Sequence, residues 1–344
     1  MSVLQKKLPK GADKSDVALL SEMQVLSEVK EWISTGFPNV DRSIGGGFAV
    51  GRISEVFGPE GSGKTALAHM AIRSCQEQGG IVVLFDFEGE LTPQRMDQYG
   101  INREQLIYVR PDHAEQAWDM IFDTLDTLKA EAPDAPFLFI WDSIAMTPSK
   151  TENEHDSAED QHHGGGGVPK VMSVELKRVV KPLQKVRAHI LFINQERDKM
   201  GGTKYDEPVT PGGRQVKYVA SQRIRVNAYK FPSAAKRPKG TPPTGLKVYV
   251  GTRKCRLCPP FQQTEYYIDF KLGPSPELSA LYALREAGVL KMSGSYLKAP
   301  WYDGSFYAKE WMDLMEADDD FYDGAMEAYA ELSRDERTVS PDED

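Results

Sequence analysis

Short apolar runs and helix-spaced apolar positions alternate through the middle of this chain. Runs at residues 52–57, 81–85, 106–109, 137–141 and 190–193 are rich in Val, Ile, Leu and Phe. Each is four to six residues long and bounded by glycine or charged residues, the pattern of a strand buried on both faces. Between the runs, apolar residues recur at helical spacing. Residues 64–78 form the clearest such stretch, and Gly79 and Gly80 end it. The alternation predicts an α/β fold with a mostly parallel central sheet and helices on both faces. Later strands are expected at 222–228, 246–250 and 264–270, with 232–243 as a loop. Segments 278–287 and 308–332 predict the helices of a small lobe. Near the start, Leu19, Met23, Leu26 and Val29 are helically spaced within 15–32, with Ser15 placed as an N-cap. That stripe can fold back on its own core or dock on a neighbouring subunit, and the sequence leaves both open.

A length of 344 residues and a 40% hydrophobic fraction suit one large core with an appended lobe. No apolar run follows Lys6, Lys7 and Lys10, so neither a signal peptide nor a membrane span is expected, and a cytoplasmic setting is the default. Three cysteines are too few for a disulfide framework. The lone C-x-x-C at Cys255 and Cys258 lacks the second pair of a zinc site, so metal or redox chemistry there is not the expectation.

Net charge is -9, which by itself argues against a nucleic-acid partner. The distribution changes that picture. Residues 208–264 hold twelve Lys or Arg and no Asp or Glu, whereas 311–344 hold thirteen acids against Arg334 and Arg337. The first stretch is expected to face a polyanion, and 333–344 to be a disordered acidic tail.

Residues 58–65 read GPEGSGKT, a complete phosphate loop between a predicted strand and a predicted helix. Gly58, Gly61 and Gly63 would let backbone N–H groups converge on phosphates at a helix N-terminus, with Pro59, Glu60 and Ser62 as the other nucleotide-binding residues of the loop. Lys64 supplies a cation, and Thr65 a ligand for Mg2+. The run Phe137-Leu-Phe-Ile-Trp141 followed by Asp142 and Ser143 has the form of a strand delivering a second Mg2+ carboxylate. Glu88, after the second strand, lies where ligands bind in open α/β sheets and is the candidate base for an attacking water.

These pieces in this order resemble the bacterial RecA recombinase family, including phage-encoded members. The resemblance extends to Ile33-Ser-Thr-Gly36, Gly51-Arg52, Leu191-Phe-Ile-Asn-Gln195, Gly212-Gly213, Pro260-Phe261 and Ala299-Pro-Trp-Tyr302, over roughly residues 30 to 330. It implies a RecA-like P-loop core at 33–271, an N-terminal oligomerisation segment at 1–32, a small C-terminal α+β lobe at 272–332 and the acidic tail at 333–344. It implies ATP and Mg2+ as cofactors, and single-stranded DNA, homologous duplex and a homo-oligomeric filament as partners. Glu88 is then the general base and Gln195 the γ-phosphate sensor. Lys254 and Arg256 reach from one subunit to the next subunit's ATP, and Lys217 and Tyr218 are interface residues. Segment 196–211 matches the second DNA loop, with Arg197 and Lys199 on phosphates and Met200 as a wedge between bases; Gly212, Gly213 and Arg178 are further DNA contacts. Arg95 stands where the family places an aromatic residue against adenine, so a cation-π contact replaces stacking; Phe270 is assigned to the same nucleotide site.

One segment departs from the family pattern. The first DNA loop, 151–167, carries five acids and His155, His162 and His163 before four glycines, with no apolar wedge. The implied activity is DNA-stimulated ATP hydrolysis coupled to homologous strand exchange. A ring helicase of the same fold and an ATP-gated scaffold or recombination mediator that does not hydrolyse ATP remain the rival readings.

Overall fold

The computed structural model describes residues 29–89, 91–131, 135–154, 167–197, 208–232 and 239–333. The chain divides into two units, 1–31 and 32–344. Of the first, only residues 29–31 are described, and they have no regular structure.

The second unit opens with β1 (Trp32–Ile33), paired antiparallel with β2 (Phe48–Ala49), and α1 (Pro38–Ser43) lies between them in sequence. Then come β3 (Ile53–Gly58), α2 (Lys64–Glu77), β4 (Ile81–Asp86), α3 (Pro93–Gln98), β5 (Leu106–Val109) and α4 (Ala114–Glu131). These lead to β6 (Phe137–Asp142), α5 (Lys150–Glu154), α6 (Gly167–Gln184), β7 (Ala188–Gln195) and α7 (Arg214–Val219). A meander follows: β8 (Gln222–Phe231), β9 (Gly245–Cys255), β10 (Gln263–Asp269) and β11 (Gly273–Ser275). Last are α8 (Pro276–Glu286), β12 (Lys291–Ser293), β13 (Tyr296–Lys298), α9 (Trp311–Ala317) and α10 (Asp319–Glu331).

Strands β3 to β11 form one sheet in the order β11-β10-β9-β8-β3-β7-β6-β4-β5. The six strands from β8 to β5 in that order are parallel, and β9, β10 and β11 continue antiparallel. Successive side chains of a strand face opposite ways, and the two faces here are both covered. Val82, Leu84, Ile140, Leu191 and Ile193 pack against Leu67, Met70 and Ile72 of α2. Val83, Phe85, Phe139, Trp141 and Phe192 pack against Trp118 and Ile121 of α4 and Met172 and Leu176 of α6. Double coverage is the reason these strands read as continuous apolar runs rather than as alternating ones.

A third cluster joins α8, α9 and α10 through Leu281, Leu284, Phe306, Trp311, Phe321 and Tyr329. Tyr329 Oη donates to Asn39 Oδ1 at 2.6 Å, which ties α10 to α1. Strand β11 belongs to the large sheet, so the polypeptide passes directly from sheet to α8.

Two expectations need correction. The helix expected over 15–32 does not include its final residues: Trp32 is in β1, where its backbone pairs with Ala49, and 15–28 lie outside the described residues. The helix expected over 308–332 is broken. A 3-10 turn covers Ala308–Glu310, and Asp318, with extended backbone, ends α9 and caps α10 by accepting from Phe321 N at 3.0 Å. A short acid in that position favours a new N-cap over continuation of the helix.

Candidate nucleotide site

The carboxyl ends of β3, β7, β6 and β4 line one edge of the sheet. Gly58 pairs with Gln195 across β3 and β7, and Asp86 with Asp142 across β4 and β6. Strand β7 lies between the phosphate-loop strand and the Asp142 strand, so Gln195 emerges between the loop and Asp142. A cavity of about 710 Å³ opens along this edge. Its wall includes Glu60 to Ala66, Glu88, Arg95, Tyr99, Asp142, Gln195 and Phe270.

The loop's shape depends on glycine at two places in particular. Gly63, with φ of +92°, is the N-cap of α2, and a Cβ there would lie 2.7 Å from Tyr266 Oη. A Cβ on Gly58 would come within 2.1 Å of Val226 O. Tyr266, fully buried, donates to Gly63 O at 2.8 Å and braces the loop from β10. Lys64 Nζ is folded onto the loop's own carbonyls, donating to Pro59 O at 2.6 Å and Gly58 O at 3.2 Å. Burial lowers its pKa, and Asp142 and Glu88 oppose that shift. An arriving phosphate would offer the ammonium a better partner than two carbonyls.

Thr65 Oγ1 donates to Asp142 Oδ2 at 3.2 Å. Asp142 is buried, and its Oδ1 has no hydrogen-bond partner. Burial first, then the nearby Glu88 carboxylate, push its pKa up to about 7. An orphaned carboxylate oxygen beside a threonine hydroxyl at a phosphate loop is what a divalent cation would satisfy. Mg2+ takes few protein ligands when phosphates supply others, so the described residues fit it without a His, Cys, Asp or Glu cluster of three, which they lack.

Glu88 receives two hydrogen bonds on Oε1: Ser143 Oγ at 2.5 Å and Gln195 Nε2 at 3.4 Å. The Asp142–Ser143 peptide is cis. Asp86 shapes the turn that carries Glu88, since its Oδ1 accepts from Glu88 N and Gly89 N at 2.9 and 2.7 Å. Its other oxygen accepts from Tyr108 Oη at 2.8 Å. Glu88, Gln195, Ser143, Asp142 and Thr65 therefore meet at one place.

Arg95 lies on α3 and lines the cavity together with Phe270 and Tyr99. Sequence reasoning missed Tyr99, Tyr266, Tyr108 and Asp86. The only signal for Asp86 was its place in the Asp-Phe-Glu strand end; the tyrosines act across long sequence separations.

The basic pair is elsewhere. Lys254 is level with Arg223 in β9 and β8, and Ser54 at the start of β3 is level with Gln222. Both cations therefore lie at the amino end of the parallel strands, opposite the phosphate loop. Lys254 Nζ donates to Lys217 O at 2.7 Å and Tyr218 O at 2.9 Å, and Arg256 Nη2 to Tyr218 O at 2.7 Å. Burial first, then the adjacent Arg256 and Arg223, lower Lys254 to about 8. Tyr218 itself is 62% exposed.

The second expected DNA loop is anchored at both ends. Glu196 N donates to Gly58 O at 3.2 Å, and its carboxylate accepts two bonds from Arg225 at 2.8 and 2.9 Å. Arg197 and Val209 exchange backbone bonds at 2.8 and 2.9 Å. Asn194 Nδ2 donates to Pro211 O at 3.0 Å. Lys199 and Met200 lie outside the described residues, as do His155, His162 and His163. Gly212 and Gly213 have φ of +84° and +79° and lead into α7. Arg178 bonds Glu175 at 2.6 Å within α6 and stacks 4.7 Å over the Phe122 ring. It is not part of the nucleotide cavity.

Among the described residues no helix is long and apolar enough to cross a membrane. The family described as "RecA N-terminal domain" matches residues 2–275. Protein RecA of Thermus aquaticus is 33% identical over 297 residues, covering 86% of this chain and 82% of that protein. Protein RecA of Wolinella succinogenes is 35% identical over 294 residues, covering 85% and 79%. The likeness takes in the phosphate loop, the cavity edge and the strands that carry the distant basic pair, and the chain belongs to the RecA family.

Proposed function

We propose that the cavity at the phosphate loop is half of an ATPase site and that Lys254 and Arg256 of the next copy complete it. As a RecA-family member the chain is an ATP-binding, DNA-dependent ATPase acting in homologous recombination. Neither the ring-helicase nor the scaffold reading is favoured by that membership. The observation that carries the composite site is the separation of the two clusters onto opposite edges of one sheet. Lys254 and Arg256 cannot reach the phosphate loop of their own chain, yet they sit together beside the exposed Tyr218.

In this reading the amides after Gly58, Gly61 and Gly63 hold the phosphates, and Lys64 leaves the loop carbonyls for them. Thr65 and Asp142 would hold Mg2+, which when bound with ATP neutralises charge on the β- and γ-phosphates. Glu88, fixed by Ser143, orients and deprotonates the attacking water. Gln195 exchanges its bond to Glu88 for the γ-phosphate and moves with Glu196 into segment 196–211. That segment, with the basic stretch 208–264, would face single-stranded DNA, and the copies would line up along it as a helical filament that takes in homologous duplex. Arg95, Tyr99 and Phe270 are placed to enclose the base. Segments 1–32, 33–271, 272–332 and 333–344 serve as oligomerisation arm, core, lobe and acidic tail.

The test uses two inactive variants. Glu88→Gln lacks the base but keeps the cations, and Lys254→Ala/Arg256→Ala the reverse. Mixed with single-stranded DNA, they should recover part of the wild-type hydrolysis, and electron micrographs should show filaments. A mixture no more active than either variant alone would exclude a site shared between copies.

A further inference from the structure

Strand β9 ends at Cys255, and the turn that follows carries Arg256, Leu257 and Cys258. Cys258 Sγ lies 2.7 Å from Cys255 Sγ. The N–H groups of Leu257 and Cys258 also donate to Cys255 Sγ, at 3.4 and 3.1 Å. The turn packs on the segment after α1. Cys255 Sγ is 3.6 Å from Ile44 O, Cys258 Sγ is 3.7 Å from Ser43 O, and a Cβ on Gly45 would sit 3.2 Å from Cys258 Cβ. A cavity of about 530 Å³, distinct from the nucleotide cavity, has Ser43, Cys258, Gln262 and Glu286 in its wall.

We propose that Cys255 and Cys258 are a dithiol modification site that exchanges with a small-molecule disulfide entering this cavity. Cys258 is in the cavity wall, and Cys255 Sγ, 2.7 Å from it, is the less buried sulfur and accepts from the Cys258 thiol and from two backbone N–H groups, donors that favour its thiolate, so Cys255 is the entry sulfur. As a thiolate it attacks one sulfur of the small disulfide, forming a mixed disulfide and expelling one thiolate. Cys258, deprotonated, then attacks Cys255 Sγ and expels the second thiolate. The two cysteines lose two protons and two electrons in all, and the small disulfide leaves as two thiols. The sulfurs need only close from 2.7 Å to the roughly 2.05 Å of the bond, so the surrounding fold can stay in place. Cys75 does not compete: it is fully buried and burial pushes its thiol up to about 12.

Arg256 lies inside the ring that would close. Closure restrains the backbone of a residue whose guanidinium bonds Tyr218 O. This consequence rests on the role proposed above for Arg256 in the next copy's site, whereas the modification itself does not.

The test treats the reduced full-length protein with oxidised glutathione and follows intact mass and alkylated peptides. The expected product lacks two hydrogens, mapped to the peptide holding Cys255 and Cys258, with Cys75 still alkylated and dithiothreitol reversing the change. Cys258→Ser should stop at a glutathione adduct on Cys255. A wild-type protein that stays reduced, or that accumulates the adduct without closing, overturns the proposal. The closed form should hydrolyse ATP several-fold more slowly with single-stranded DNA and recover on reduction. Full closure with an unchanged rate overturns the link to Arg256, and the mass measurement keeps that failure separate from failure of the composite site.

Discussion

Gln195 Nε2 donates to Glu88 Oε1 at 3.4 Å, so the end of β7 touches the carboxylate after β4 across the intervening β6. A γ-phosphate oxygen would compete for that same amide donor. Gln195→Ala should therefore bind ATP and keep basal hydrolysis within about tenfold of wild type, the worth of one hydrogen bond. It should lose stimulation by single-stranded DNA. Rates with and without DNA check this, and a variant still stimulated like wild type would remove Gln195 from the relay.

Glu88 itself should be far more costly to change. Glu88→Gln keeps the acceptor for Ser143 Oγ but cannot take a proton. Hydrolysis is expected to fall by at least about 100-fold, with nucleotide affinity little altered. Steady-state hydrolysis beside titration with a fluorescent ATP analogue separates the two effects.

Lys254 sets an expected pH dependence. Its folded pKa is lowered to about 8, chiefly by burial and then by Arg256 and Arg223, with Glu55 opposing. The cation is present below that value and lost above it. DNA-stimulated hydrolysis should decline as pH rises through about 8, and a bound phosphate, which favours the cation, should move the decline upward. Lys254→Arg stays charged and should flatten the profile at a lower plateau. A wild-type profile flat from about pH 7 to about 9.5 would contradict the role given to this lysine.

The parts of this molecule that were legible in its sequence are those written in contiguous residues. Gly58 to Thr65 announces itself because a phosphate loop needs neighbouring amides, and the parallel strands do so because burial on both faces leaves no polar positions. Asp142 could be located because a strand end is a fixed place in such a sheet, whereas Gln195 came from the family resemblance. Long-range partners left no local trace. Tyr266 reaches Gly63, and Tyr108 reaches Asp86, across gaps no periodicity reports. Asp318 divided an otherwise helical run because capping competes with propensity, and single-residue competition is poorly visible in a hydrophobic pattern. The resemblance supplied the pairing of Lys254 with Arg256; the sheet register puts both at the edge opposite the phosphate loop.

Gly58 should tolerate no side chain. An alanine Cβ would overlap Val226 O, and β8 is held in the sheet interior by β3 and β9 on its two sides. Gly58→Ala is expected to lose ATP binding and about 2 kcal/mol or more of stability through backbone displacement. Thermal unfolding together with nucleotide titration would detect both losses, and near-normal behaviour in each would contradict a Gly58 requirement set by Val226 O.

The buried pair Glu55–Arg223 gives the most direct stability test. Glu55 is fully buried in β3; its Oε2 accepts from Arg223 Nε at 2.5 Å and its Oε1 from Asn194 Nδ2 at 2.9 Å. Arg223 also stacks 4.5 Å over the Phe57 ring. Glu55→Gln would leave a largely buried guanidinium without its carboxylate, at a cost of about 3–5 kcal/mol. Replacing both residues with leucine should recover most of that loss, because no buried charge is then left alone. Denaturant unfolding of the single and double variants checks the order. The pair also has neighbours at each end: Asn194 precedes Gln195, and Arg223 is level with Lys254. If it serves only stability, the double variant should regain DNA-stimulated hydrolysis along with its fold. Recovered stability without recovered stimulation would mean that the charges align the sensor edge of the sheet with the basic edge.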